Sequence, residues 1–283
     1  MAELTDSATG AAPGTTPDPG GAGRLRAGLS GKRGAMLISA LAVAITIVAW
    51  QIGSWNYNPQ LLPGPAKVAR GTGELSNSGL LWDSIAVSLE RVFKGWLLGS
   101  GIAIPLGLLA GVSRFARAAL DPFIHFFRFV PALALTSLFI LWFGIGETSK
   151  VNLVAYAALF VVLITTATGA SSVHPDKVNS AQTLGAGRRD VFLRVALPAT
   201  FPSIFVGMRL ALANAFLVIV AAEAIAAQEG IGFLIWNSRT FFRTDFMFVG
   251  IFCFGVLGFV CDRLWKLLGN TLLRRYLTGV GSY

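Results

Sequence analysis

Apolar positions in this chain gather into long unbroken runs, without the three-to-four or alternating rhythm of a water-soluble domain. The first run, Ala35 to Ile52, is long enough to cross a hydrocarbon layer of ~30 Å. Five more follow at Trp96 to Val112, Ile124 to Phe143, Val151 to Ala170, Ser203 to Ala222 and Phe246 to Cys261. The pattern predicts an all-α integral membrane protein of about six transmembrane helices. Between the first two runs Leu75, Leu80, Leu81, Ile85 and Leu89 recur among polar residues at helical spacing, which predicts interfacial helices over 54–95. Residues 1–34 are rich in Gly, Ala, Pro and Thr. They carry too little apolar surface to offset ordering entropy, so a disordered tail is expected ahead of a membrane domain over 35–283.

Particular residues interrupt the runs. Gly95, Gly99, Ala103, Gly107 and Gly111 place a small side chain at every fourth position of the second run, a strip on which another helix can pack closely. Pro105 and Pro131 each remove a backbone hydrogen bond that a neighbouring helix or water must replace. Arg128 and Arg209 are the only cations inside the predicted spans. A charge there usually faces a water-filled path or a partner, so both are candidate substrate-pathway residues, with neutralisation by a carboxylate or carbonyls as the structural alternative. Glu223, near the end of the fifth run, reads as a packing or gating residue.

Composition sharpens this picture. Of 283 residues 54% are hydrophobic and 13% charged, about half the charged fraction of a soluble domain. With a cytoplasmic amino terminus, fourteen Lys and Arg fall on the inner side of the predicted topology and seven, among them Arg91, Lys94 and Lys150, on the outer side. That bias follows the positive-inside rule, predicts two cytoplasmic termini in a multi-pass bacterial cytoplasmic (inner) membrane protein, and accounts for a net charge of +9 without nucleic acid. Cys253 and Cys261 lie in an apolar run without a CxxC spacing, and His125 and His174 lack a second ligand at metal spacing, so no metal site is predicted. Gly31-Lys32-Arg33 fails the P-loop pattern. No span pairs the groups an active site needs, so no catalytic residue is expected and no cofactor bound by this chain.

The most informative segment is the loop 173–202. Pro175 and Asp176 suit a helix start, Gly185 and Gly187 a turn, and Pro198 the end of a second short helix. Val178, Ala181 and Leu184 share one face of the first helix, Val191 and Val195 one face of the second. Residue types alone leave two partners open for this hairpin, the membrane surface and another protein.

The loop resembles the conserved EAA loop of binding-protein-dependent ABC permeases. Ala181 stands at the second alanine, Gly185 at the glycine, Val195 at the isoleucine, and Leu197 and Pro198 at the closing pair, whereas Asn179 and Ser180 replace the usual Glu and first Ala. The resemblance narrows to nitrate/sulfonate/taurine-type permeases through Leu62-Pro63-Gly64-Pro65, Ser88-Leu89-Glu90-Arg91-Val92, Trp142-Phe143-Gly144-Ile145-Gly146-Glu147, Gly207-Met208-Arg209-Leu210-Ala211, Ala222-Glu223 and Gly230-Ile231-Gly232. It implies a type I ABC importer permease fold and a homodimer. It also implies partner ATPase subunits that carry ATP and Mg, and an extracytoplasmic solute-binding protein that delivers a small organic or inorganic anion. The same architecture serves pyrimidine or vitamin-precursor cargo, and a secondary transporter is the rival class. The ATPase-coupling residues it points to are Ala181, Leu184, Gly185, Phe192, Val195, Leu197 and Pro198, with Leu184 and Phe192 as groove-filling side chains.

Overall fold

A computed structural model describes residues 32–58 and 60–272, and the chain divides into two units, Met1–Tyr57 and Asn58–Tyr283. The first holds helix α1 (Lys32–Asn56), apolar all round and long enough to span a bilayer. Its polar side chains turn back on their own backbone. Thr46 Oγ1 donates to the Ala42 carbonyl (2.9 Å) and the Asn56 amide to the Ile52 carbonyl (3.0 Å), so neither is left unsatisfied in an apolar medium. Because α1 starts at Lys32, the end of the predicted tail is its first turn. The rest of that tail lies outside the described residues, as do Arg274 and Arg275.

The second unit contains α2 (Pro65–Asn77), α3 (Leu80–Val112), α4 (Arg114–Phe127), a 3₁₀ turn (Ala132–Leu135) leading into α5 (Thr136–Phe143), and α6 (Glu147–Ser171). It continues with α7 (Pro175–Thr183), α8 (Arg188–Val191), α9 (Leu197–Ala226), α10 (Ile231–Thr240) and α11 (Thr244–Leu272). The helices outrun the apolar stretches that predicted them. α3 begins at Leu80, not Trp96, and its 33 residues reach ~50 Å at 1.5 Å per residue. Arg91 and Lys94, expected in an outer loop, therefore sit on a membrane-crossing helix, as does Lys150 at the start of α6. Pro105 lies within α3, which continues through it.

The glycine strip fixes how α3 meets α6. A Cβ on Gly95 would lie 2.6 Å from the Val151 carbonyl, on Gly107 2.8 Å from that of Leu163 and on Gly111 2.9 Å from that of Ala167, while one on Gly99 would collide with the Ala155 carbonyl. Each partner stands 56 positions after its glycine, so the two helices run parallel and in register over four turns. Ala103, fully buried, occupies the middle of the strip. Two adjacent parallel crossings require the chain between them to cross back. Residues 113–146 are thus the third crossing, although none of their helices spans alone: α4 and the segment Ala132–Phe143 meet at 84°. The continuous third span predicted from hydropathy is a broken one, and Pro131 sits at the break. Its missing N–H leaves a helical acceptor four residues back, the Phe127 carbonyl, which instead accepts from the Val130 N–H (3.0 Å) and the Tyr156 hydroxyl (2.9 Å).

α9 runs antiparallel to α6. Gly169 faces Thr200 and Ser203, Gly207 faces Val162 and Thr165, and the Asn214 amide donates to the Ala157 carbonyl (2.9 Å). The main core, from Val92 and Trp96 through Leu153, Val154 and Val162 to Leu212 and Ile219, lies among α3, α6 and α9. α11 is antiparallel to α9. Trp265 stacks on Phe205, meets Trp96 edge-on and donates from Nε1 to the Phe205 carbonyl (3.1 Å). α2 is tied to the start of α11 by Arg243, which bridges Glu74 and Asp245 and lies over Phe246.

The seam makes a paired prediction. Gly99→Leu should lower stability by about 1–3 kcal/mol, the usual cost of overpacking, whereas Gly101→Leu, with nothing within 4 Å of its Cβ position, should be close to neutral. Thermal unfolding of the detergent-purified protein compares them, and equal losses would sink the parallel seam.

Candidate functional site

The loop between α6 and α9 is a helical hairpin. His174 caps α7, its Nδ1 accepting from the Asp176 N–H (3.3 Å). At the other end the Gly185 N–H donates to the Gln182 carbonyl (2.9 Å) and the Ala186 N–H to the Ala181 carbonyl (3.0 Å). This is a Schellman termination with Gly185 at the left-handed position, φ +87°. A Cβ at Gly185 would meet nothing within 4 Å, so glycine is needed for its backbone conformation and not for close approach. Leu184, beside it, is 88% exposed, while Val178 and Ala181 on the same helix are half-buried.

The predicted residues of the hairpin thus separate into two groups. Leu184 and Gly185 form the tip. Phe192 and Leu197 pack inward on Leu108, Ala170 and Ile204 at the ends of α3 and α6 and within α9, so Phe192 fastens the hairpin to the bundle and is not a free groove-filling side chain. Val195, half-buried, lies in a π turn over Phe192–Ala196 that joins α8 to α9. Pro198, expected to close the second helix, does not do so. Arg188–Ala226 is one helical rod, and Pro198 occupies the first turn of α9, where a missing N–H is tolerated beside the widened turn.

The two predicted pathway arginines lie in different surroundings. Arg209 makes a bidentate pair with Asp262 of α11 (2.5 and 2.7 Å). Arg128 stands at the break after α4 and lines a cavity of about 390 Å³ with Tyr156, Phe160 and Asn214. Phe160 and Asn214 lie in the central turns of α6 and α9, so Arg128 is level with the middle of the bundle, exposed on its flank. Arg209 does not line this cavity.

At the end of the bundle opposite the hairpin is a buried charge network that sequence reading left in pieces. Glu223 is fully buried. It accepts from Ser88 Oγ (2.8 Å), Arg91 Nη1 (2.9 Å) and the Gly232 N–H (2.9 Å). Arg91, also buried, donates to the Glu229 carbonyl (2.7 Å) and grips Glu147 through Nε and Nη2 (2.5 and 2.7 Å), and Lys150 donates to Glu147 (2.9 Å). Two cations and two carboxylates thus join α3, α6, α9 and the α10 start. Ser88 Oγ also accepts the Ile231 N–H (2.9 Å), so Ser88 and Glu223 satisfy the first free donors of α10. Gly230, at φ +111°, is forced by the same carboxylate: a Cβ there would fall 2.5 Å from Glu223 Cδ. The signal available in sequence was Glu223 itself, a lone carboxylate on an apolar helix that cannot stay ionised without partners.

Arg91→Met should cost about 3–5 kcal/mol, the penalty of leaving Glu223 buried without its cation; Glu147, open to solvent, adds little. Arg91→Met combined with Glu223→Met should recover much of that loss. Thermal midpoints of the three variants test the pairing, and strictly additive losses would refute it.

Residues 103–274 match the family model described as the binding-protein-dependent transport system inner membrane component. A Bacillus subtilis (strain 168) chain, SsuC, named for aliphatic sulfonates transport as a permease protein, is 37% identical over 86% of this chain and 89% of its own length. The taurine transport system permease protein TauC of Escherichia coli K12 is 35% identical, over 85% and 88%. The nitrate import permease protein NrtB of Synechococcus elongatus is 32% identical, over 81% and 87%. A solved amino acid ABC transporter structure shares the fold, with a TM-score of 0.55 over 72% of this chain and 97% of that one, at 17% identity. With the helical bundle, the hairpin and the matches in agreement, the chain belongs to the family of binding-protein-dependent transport system inner membrane components, the permeases of ABC importers.

Proposed function

We propose that this chain forms the translocation path for a small anion in an ATP-driven importer and that the α7–α8 hairpin is where a partner ATPase docks. The observation that carries the second claim is the hairpin tip, where an apolar Leu184, 88% exposed, is held out by a Schellman turn that only Gly185 suits. A leucine held out to water on a rigid turn gains by burying its side chain in an apolar groove of a protein partner. Phe192 and Leu197 then link that contact to α3, α6 and α9, so a displaced hairpin moves the bundle. With the carboxylate of the usual motif replaced by Asn179, the contact rests on the turn and on Leu184.

In this reading the hairpin end of the bundle and both chain termini face the cytoplasm of a bacterium. ATP and Mg belong to the ATPase, and the chain itself is not catalytic. It acts as one of two copies, receiving cargo from a solute-binding protein on the network side. Relatives named for sulfonates, taurine and nitrate support an anionic cargo.

Leu184→Asp should leave the amount of permease in the membrane unchanged and weaken co-purification with the ATPase by about thirtyfold, as expected for losing the burial of one leucine side chain worth about 2 kcal/mol. Gly185→Asp, which places a charge on the apolar tip beside Leu184, should abolish vanadate-sensitive uptake as well. Normal uptake by both variants would remove the hairpin from the coupling path.

A further inference from the structure

The cavity at the α4–α5 break carries more than a pathway assignment. We infer that it is an intramembrane binding site for an organic monoanion with an apolar body, held by the Arg128 guanidinium; this rests on the reading of the chain as the translocation subunit. Arg128 lies level with the central turns of α6 and α9, where an arginine is never neutral and is rarely left without a partner. Among the described residues no carboxylate pairs with it. Its guanidinium lies 4.5 Å from the Phe129 ring centroid, a contact that leaves the planar edge and its hydrogen-bond donors free.

The other two polar side chains of the cavity are neutral, and each turns a donor onto a backbone carbonyl of the bundle. The Tyr156 hydroxyl donates to the Phe127 carbonyl and the Asn214 amide to the Ala157 carbonyl. The cavity thus offers one cation with a fork of donors. The rest of its wall is hydrocarbon and aromatic, including Phe127, Phe160, Leu133 and Leu217. A bare inorganic oxyanion would occupy a small part of 390 Å³, and this wall would not replace its lost hydration. An anion with a hydrocarbon or aromatic body fits both parts, its head on Arg128 and its body against Phe160 and the leucines. The break itself supplies the space, since a continuous helix through 128–131 would carry side chains across it.

The test uses the full chain in lipid nanodiscs, titrated calorimetrically with hexanesulfonate, nitrate and the neutral hexanol. Hexanesulfonate should bind at least about tenfold more tightly than either comparison. Arg128→Gln should weaken it about ten- to hundredfold, the range for losing hydrogen bonds to a charged group. Leu133→Trp, which narrows the cavity and keeps the arginine, should weaken it as well, so the inference does not depend on one variant folding. Failure of hexanesulfonate to bind the unmodified chain, or equal binding by Arg128→Gln, would overturn the site, and nitrate binding as tightly as hexanesulfonate would overturn the organic body. Because binding is read on the permease alone, loss of ATPase docking would count against the hairpin reading and not against this one.

Discussion

Two neighbouring helices that run in the same direction through a bilayer impose the rest of this topology. The α3–α6 seam, with each glycine backed onto a carbonyl 56 positions on, can form only if residues 113–146 return the chain across the membrane. That return contains Pro131, so it is made in two pieces and leaves an opening between them. Lipid cannot hydrogen-bond the freed carbonyl of Phe127, so Tyr156 of α6 does. The cavity beside Arg128 is therefore a consequence of the close parallel seam, through the proline that the return segment carries.

α9 connects what that seam separates. It joins the hairpin through the π turn at Phe192–Ala196, meets α11 at Arg209 and Asp262, lends Asn214 to the cavity and ends at Glu223 in the buried network. A rigid rod touching all four places transmits a displacement at one end to the other, provided the contacts have two arrangements to choose between. The π turn and Pro198 and Pro202 concentrate its weak backbone hydrogen bonding near the hairpin. Bending is thereby confined to the end where force would enter.

How much of this was legible in sequence depended on range. The glycine strip, the turn at Gly185 and the interruption at Pro131 are local signals, and each names a backbone requirement that its own neighbours state. Helix ends were misjudged because a hydropathy window stops at a charge, whereas α3 continues through Arg91, which Glu147 and Glu223 neutralise from 56 and 132 positions away. Gly230-Ile231-Gly232 was visible as a motif but not as a socket, since what it holds, the Glu223 carboxylate, reaches it across a turn and is fixed there by Ser88 of α3. The inward contacts of Phe192 were hidden for the same reason, since they are made with Leu108, Ala170 and Ile204, residues of α3, α6 and α9.

The arginines of the bundle then separate by what meets them. Arg91 is buried between two carboxylates, with a backbone carbonyl taking a further donor, so it is a structural joint. Arg209 has its fork filled by Asp262 and serves to hold α9 against α11. Both show that this fold supplies a carboxylate where it needs a cation neutralised. At Arg128 it supplies an aromatic face and an open cavity. A cation retained at that depth without a built-in partner has its partner delivered, and an anion passing through the permease is the species the architecture brings to it.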